Sequence, residues 1–172
     1  SADGRYLWFY CAFPPSLRRT LGVVDFETGE VRHFPETQFT GASPFVDSAS
    51  GEVFWGEGAS VWRRGPGAED EPDCVNTLPP DLIGARNVPH IATHLTRSAD
   101  GRQFCIDAMI GLHYVLGSLP VDGGDFDLWQ RFDRCHTHAQ FSPTDPDEVL
   151  YAEEIHNDPI TGLTIPITNR LW

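Results

Sequence analysis

The stretch Ser98-Ala99-Asp100-Gly101-Arg102, followed by Gln103-Phe104-Cys105-Ile106, decides the fold because the chain repeats its pattern. A turn of Ser, Asp and Gly precedes an apolar strand. Asp and Ser side chains hydrogen-bond to nearby backbone, and Gly accepts positive φ. Related units begin at Ser1, Ser48 and Ser142, so the leading serines stand 47, 50 and 44 residues apart. This period is typical of β-propeller blades, each of four antiparallel strands.

The strands of four blade units follow from this period. The units span approximately residues 1–40, 41–84, 85–135 and 136–172. The first unit lacks its innermost strand and the last one stops early. The predicted strands are 5–12, 20–26 and 31–34, then 42–47, 52–57, 60–64 and 73–78, then 91–97, 103–109, 112–119 and 127–132, and finally 138–142, 148–153 and 169–172. Helix is limited to one turn at 79–84, where two prolines precede Asp81.

The number of units predicts the architecture. Closed propellers have typically four to eight blades, and about four units with two incomplete ones do not close a ring. We therefore expect an all-β segment of a longer propeller, with the remaining blades missing from this chain. The alternative is a small free-standing β-sheet protein, whose open edges would invite aggregation.

Composition excludes several classes of partner. The net charge of −13 argues against a general nucleic-acid or anionic-membrane surface. No apolar run reaches the roughly 20 residues of a membrane helix, and no signal peptide is visible. The four cysteines are far apart and match no zinc-ribbon spacing. We expect them to be reduced, in a cytoplasmic setting.

The densest group of chemically versatile side chains lies in the stretch 135–143, Cys-His-Thr-His-Ala-Gln-Phe-Ser-Pro. Its Thr137-His138 stands four residues ahead of a serine. Thr93-His94 has the same spacing one unit earlier. Equivalent positions on adjacent inner strands predict that His94 and His138 lie at one mouth of the channel. Imidazole serves as metal ligand or general base. The alternative for His138 is a structural histidine bonded to the backbone of the next blade, and the alternative for His94 is a polar residue that lines the channel.

The neighbouring polar residues leave alternatives open. His136 and His90 precede the two histidines and are either substrate contacts or exposed side chains. Gln140 stands two residues from His138, hence on the same side of a regular strand. It is either a ligand or a buried amide bonded to a neighbouring strand. The cluster 153–158, Glu-Glu-Ile-His-Asn-Asp, is either a metal-binding loop or a solvated hairpin.

The last part of the chain resembles a known family. The resemblance rests on 138–147 (HAQFSPTDPD), 149–154 (VLYAEE), 158–162 (DPITG) and 169–172 (NRLW). These segments are similar to oligogalacturonate lyases and their pectate-lyase-like relatives. The Ser-x-Asp-Gly-Arg turns resemble that family too, but TolB-type and WD40-like propellers share them.

The resemblance implies a seven-bladed propeller that cleaves short pectin fragments by β-elimination. It implies a divalent metal, manganese-like, held by several histidines and a glutamine above the channel, and maps a ligand onto His138 or His136. Gln140 completes the predicted metal set, with part of the site in later blades. The family also implies a histidine base, for which we select His94, and an assisting arginine.

An arginine is needed because the uronate carboxylate must be neutralised before the adjacent carbanion can form. Arg63, Arg64, Arg86 and Arg97 are candidates. We select Arg86 as the catalytic arginine, and we assign His90 and Arg63 to substrate binding. The predicted partner is an oligogalacturonide or another acidic oligosaccharide. The alternative is a propeller that binds a carbohydrate or protein without chemistry. We expect His94 and His138 to lie too far apart for a direct hydrogen bond, with metal and substrate between them.

Overall fold

The computed structural model describes residues 1–15, 18–39, 43–154, 156–158, 160–165, 167 and 170–172. The strands of the first three sheets have the following bounds: β1 Tyr6–Ala12, β2 Arg19–Asp25, β3 Glu30–Phe39, β4 Phe45–Val46, β5 Val53–Glu57, β6 Ser60–Arg64, β7 Asp73–Thr77, β8 Thr96–Arg97, β9 Gln103–Ile110, β10 His113–Pro120 and β11 Asp127–Phe132. The remaining strands are β12 His136–Phe141, β13 Val149–Glu153, β14 His156–Asn157 and β15 Thr164–Ile165. The described helix, α1, is one turn, Pro80–Ile83.

Chain order is also spatial order within the sheets. The orders are β1-β2-β3, β4-β5-β6-β7 and β8-β9-β10-β11, followed by the pairs β12-β13 and β14-β15. Every pair of neighbouring strands is antiparallel. The prediction of an all-β chain built from blade-like meanders is therefore confirmed. Among the described residues no helix is long and apolar enough to cross a membrane.

The repeated turns form as their sequence predicts. Ser98 Oγ donates to Asp100 and accepts the amide N–H groups of Arg102 and Gln103 at 3.2 and 3.0 Å. Gly101 supplies the positive φ of 76° that the turn requires. At the first unit Ser1 and Gly4 repeat this arrangement. Each of these turns thus directly precedes a strand, β1 in the first unit and β9 in the third.

The core lies between neighbouring sheets rather than within them. Successive side chains on a strand point to opposite faces, so β5 is buried on both sides. Val53 and Trp55 pack with residues of β2 and β3, whereas Phe54 packs with Phe104 and other residues of the next unit. Burying a side chain such as Phe54 contributes roughly 1.5–3 kcal/mol. Each sheet is therefore stabilised mainly by its neighbours, as blades of a propeller are.

The structure corrects the inner strands. The predicted strand 91–97 is reduced to Thr96–Arg97, because the preceding residues form isolated bridges instead of a ladder. The predicted strand 42–47 is reduced to Phe45–Val46, and its residue 42 lies outside the described residues. For 169–172, residue 169 also lies outside them. Trp172 exchanges backbone hydrogen bonds with Tyr151 at 3.1 and 3.0 Å, so the end of the chain pairs with β13.

Candidate functional site

Two histidines from adjacent units meet at the inner edge of the sheets. Nε2 of His94 lies 2.7 Å from Nδ1 of His138, and the ring centroids are 4.8 Å apart at an angle of 32°. The two rings therefore share one hydrogen bond. The repeat correctly brought these positions together, but the expectation of a gap for metal and substrate between them is wrong.

The close approach depends on the backbone of His138. Its φ is 56°, and it is the only non-glycine residue with positive φ among those described. The register of β12 with β13 shifts between Thr137 and Gln140, so the stretch between them forms a bulge. A left-handed conformation costs a non-glycine residue about 1–2 kcal/mol. Such strain at a chemically active side chain is typical of functional sites.

His94 is fixed from its other side. Its Nδ1 lies 3.1 Å from Ser43 Oγ. Backbone hydrogen bonds from Ser43 N–H to Thr93 O, at 2.9 Å, and from Leu95 N–H to Ser43 O, at 3.1 Å, tie the inner edges of two units together. Burial, and then the neighbouring His138, lower the pKa of His94 below its ordinary value. A neutral imidazole that can accept a proton is therefore favoured at neutral pH.

A carboxylate lies on the far side of His138. Glu154 Oε1 is 3.6 Å from His138 Nε2 and 2.9 Å from Arg170 Nη2. Together with Ser43 it brackets the histidine pair, which we call the histidine row: Ser43, His94, His138 and Glu154. The Glu-Glu cluster considered as a metal loop thus lies beside His138. Its following residues form the hairpin β14–β15.

Asp107 lies beneath the histidine row. Its side chain is 1% exposed. One carboxylate oxygen accepts the backbone N–H of Thr93 and the other accepts that of Ala139, at 3.1 Å. Burial raises the pKa of Asp107 to about 6. Asp107 belongs to none of the motifs found in the sequence. The available signal was a lone charge in the apolar strand Phe104-Cys105-Ile106-Asp107-Ala108.

His136 and Gln140 do not join the histidine row. His136 stacks on Phe132 with centroids 3.8 Å apart, and its Nδ1 lies 3.1 Å from Arg134 O. Gln140 is exposed and lines an open pocket with Trp172. Burial still alternates along β12, so neither position follows from the side of the strand alone. The interpretation of Gln140 as a buried amide is wrong.

The remaining predicted site residues are engaged elsewhere. Arg86 donates to the carbonyls of Ile83 and Leu82, at 3.0 and 2.6 Å, at the end of α1. Arg63 donates twice to Asp73 on the neighbouring strand β7, at 3.1 and 3.0 Å. His90 has a buried Nε2 without a hydrogen-bond partner in the described structure. No described contact joins these three to the histidine row, so their catalytic or substrate-binding roles stay predictions.

The described residues do not fit a complete metal centre. They contain no group of three or more His, Cys, Asp or Glu arranged to hold a metal ion. The facing nitrogens of His94 and His138 are engaged with each other, and Gln140 points elsewhere. Manganese prefers a six-coordinate, oxygen-rich set, which two imidazoles and one carboxylate do not supply.

Several solved structures have a fold similar to that of this chain. Neither protein-family models nor curated proteins give a match to the sequence. An oligogalacturonate lyase in complex with manganese superposes with a TM-score of 0.71 at 15% identity, covering 99% of this chain and 46% of that one. The oligogalacturonate lyase of Vibrio parahaemolyticus gives 0.67 at 14% identity, covering 92% and 45%. TolB from Acinetobacter baumannii gives 0.52 at 12% identity, covering 98% and 41%.

These likenesses define the class of protein. The chain has the fold of a β-propeller segment, and it spans about half the length of the two lyase structures that it matches. The resemblance to oligogalacturonate lyases seen in the sequence is thus confirmed at the level of the fold. At these identities the likeness concerns architecture alone.

Proposed function

We propose that this chain forms part of a β-propeller lyase that cleaves oligogalacturonides by β-elimination. The observation that carries the proposal is the contact between His94, which precedes β8, and His138 of β12. It occurs in a chain whose fold matches two oligogalacturonate lyase structures over 99% and 92% of its length.

His94 is the proposed general base. Its pKa is lowered, so the ring is neutral and can take the proton from the carbon beside the uronate carboxylate. The electron pair of that C–H bond then forms a double bond to the next ring carbon. The glycosidic C–O bond on that carbon breaks, and the leaving oxygen takes up a proton. The products are one saturated and one unsaturated uronide end.

A divalent metal, manganese as in the lyase complex, belongs to the proposal. The described residues alone do not complete its ligand set, and we assign no step to it. His138 is the proposed ligand among them. A cation near the carboxylate is chemically useful because it stabilises the negative charge that develops during proton removal.

The four cysteines support the proposed compartment. All of them are free thiols in the structure, and Cys105 is buried. Unpaired thiols are typical of reducing compartments, so we propose that the protein acts in the cytoplasm on imported acidic oligosaccharides.

The decisive experiment follows the unsaturated product by ultraviolet absorbance. The protein of the natural reading frame is incubated with oligogalacturonate and manganese, and in parallel with a neutral oligogalactoside of equal length. We expect absorbance to rise with the uronide alone, because the neutral sugar lacks the carboxylate that acidifies the adjacent C–H. Binding of the uronide without absorbance change, with manganese present, would instead favour a propeller that binds without chemistry.

A further inference from the structure

Asp107 is a buried charge that the proposed reaction does not use. It lies on β9 next to apolar residues on both sides, and its side chain faces β12 together with Cys105. Burial of an ionised carboxylate is costly unless it is paired. The described hydrogen bonds to its oxygens come from Thr93 and Ala139, and none comes from an arginine or lysine.

A second buried aspartate shows the usual solution. Asp25, at the end of β2, receives Arg5 Nε at 3.1 Å and Arg5 Nη2 at 2.9 Å. This pairing lowers the pKa of Asp25, whereas burial raises that of Asp107. A packed apolar side chain at position 107 would cost less than an unpaired carboxylate. Apolar packing alone therefore does not account for a carboxylate at position 107.

The two backbone amides that Asp107 binds explain why a carboxylate stands at this position. Thr93 immediately precedes His94, and Ala139 immediately follows His138. Thr93 lies ahead of β8, which begins at Thr96, and Ala139 lies in the bulge of β12. Neither amide has a ladder partner at its position. The carboxylate replaces the missing partners, and both hydrogen bonds are charge-assisted and therefore stronger than bonds between neutral groups.

We propose that Asp107 is a positioning residue whose two oxygens hold the backbone beside His94 and beside His138, and so set the contact between the two imidazoles. One side chain thereby fixes two irregular segments from different units against each other. The effect of Asp107 on the contact between the two imidazoles does not depend on any reaction. Its expected effect on turnover rests on the proposed lyase function.

The first test is the substitution Asp107→Asn in the protein of the natural reading frame. The amide keeps the size of the carboxylate but accepts through one oxygen, and its NH₂ group opposes the second N–H. We expect turnover to fall about 10- to 100-fold, because supporting residues of this kind and small misplacements have effects of that size. KM should stay within about twofold, since the substrate contacts remain.

The second readout is independent of catalysis. Nitrogen-15 NMR of the imidazoles reports the hydrogen bond between His94 and His138. We expect both ring signals to shift in Asp107→Asn while the amide signals of the β9–β10 ladder stay in place. Asp25→Asn is the matched control: it also removes a buried carboxylate and destabilises the fold, but it should leave the imidazole signals unchanged.

Unchanged imidazole signals and turnover in a folded Asp107→Asn would overturn the inference. Shifted imidazoles in a protein that never cleaves uronides would support it while refuting the proposed reaction. If Asp107→Asn does not fold, hydrogen exchange of the native protein decides. Slow exchange of the Thr93 and Ala139 amides, outside any ladder, supports the inference, and fast exchange of both contradicts it.

Discussion

The segments Thr93–Ser98 and Thr137–Ser142 have the same sequence frame and different backbones. Both begin with Thr-His and end with a serine whose hydroxyl accepts amide N–H groups of the following turn. His94, however, lies next to a parallel bridge to Ser43, whereas His138 adopts a φ of 56° inside a bulge. If the two backbones were identical, both imidazoles would point in the same direction relative to their own units. The difference shows that the rings meet through one histidine of ordinary φ and one of positive φ.

The largest effect should distinguish the two histidines by role. We expect His94→Ala to lower turnover by about 100- to 10,000-fold, the usual contribution of a general base, and to weaken manganese binding less than His138→Ala does, because His94 contacts the proposed ligand without being one. His138→Ala should weaken manganese binding, because a neutral imidazole is the proposed ligand. Steady-state kinetics and titration calorimetry on the natural protein measure the two quantities. Equal losses of manganese affinity in the two variants would contradict the assignment of His94 as base and His138 as ligand.

A second prediction concerns Asp107, whose carboxylate accepts a backbone N–H from each of the two segments. Its folded pKa of about 6 lies above the ordinary value of 3.8, so the folded state binds the extra proton. Relative to Asp107→Asn, native stability should therefore rise as pH falls from about 7 to 4, by roughly 3 kcal/mol at most. Cys105 and Cys135 face Asp107, but burial raises their pKa values, and they stay neutral in this range.

Urea unfolding at several pH values measures this slope, and Asp25 supplies the contrast. The pKa of Asp25 is lowered, chiefly by its hydrogen bonds with Arg5. Its contribution to stability is present above its ordinary pKa and is lost as pH falls through the folded one. Relative to Asp25→Asn, native stability should thus fall with acidification. Slopes of the same sign for the two aspartates would contradict the assignment.

A smaller effect tests the backbone difference itself. Glycine adopts positive φ freely, so His138→Gly should be more stable than His138→Ala by about 1 kcal/mol. At position 94 the order should reverse, because glycine in an ordinary conformation loses about 0.5–1 kcal/mol against alanine. Free energies of unfolding of the four variants give the comparison. The same order at both positions would show that the segments do not differ in backbone.

The smallest effects should come from the ends of the histidine row. Ser43→Ala removes a hydrogen bond to His94 at 3.1 Å and should cost about 0.5–1.5 kcal/mol of stability. Glu154→Gln acts on a longer contact to a half-exposed ring and should cost about 0–1 kcal/mol. Thermal unfolding of both variants checks this order. A larger loss in Glu154→Gln would mean that the contacts of Glu154 with His138 and Arg170 together contribute more than the contact of Ser43 with His94.

The sequence predicted the parts of the molecule that local rules control. The Ser-Asp-Gly turns, most strand bounds of β5 to β11 and the single helical turn after Pro79 follow from turn chemistry and two-residue alternation. The matched spacing of the two Thr-His pairs also brought His94 and His138 together. These features depend on residues within a few positions of each other, which a sequence displays directly.

The details of the site depend on contacts that a repeat does not display. Alternation placed Gln140 beside His138, but Gln140 is exposed and lines a pocket with Trp172. The distance between the imidazoles depends on Asp107, which lies on another strand. Arg86 was selected for its place in a loop near the channel, yet its guanidinium donates to carbonyls of α1. In each case the deciding partner is remote in sequence or is a main-chain group.

The long chain separations within the histidine row have a kinetic consequence. Ser43 and His94 are 51 residues apart, and His94 and His138 are 44 apart. The meanders of β5–β6 and β9–β10, by contrast, close over a few residues. Local hairpins form before distant pairs, because longer loops cost more entropy to close. We therefore expect the amides of the strand ladders to become protected from hydrogen exchange first during refolding. The contact between His94 and His138 should form later, when the separate sheets pack together.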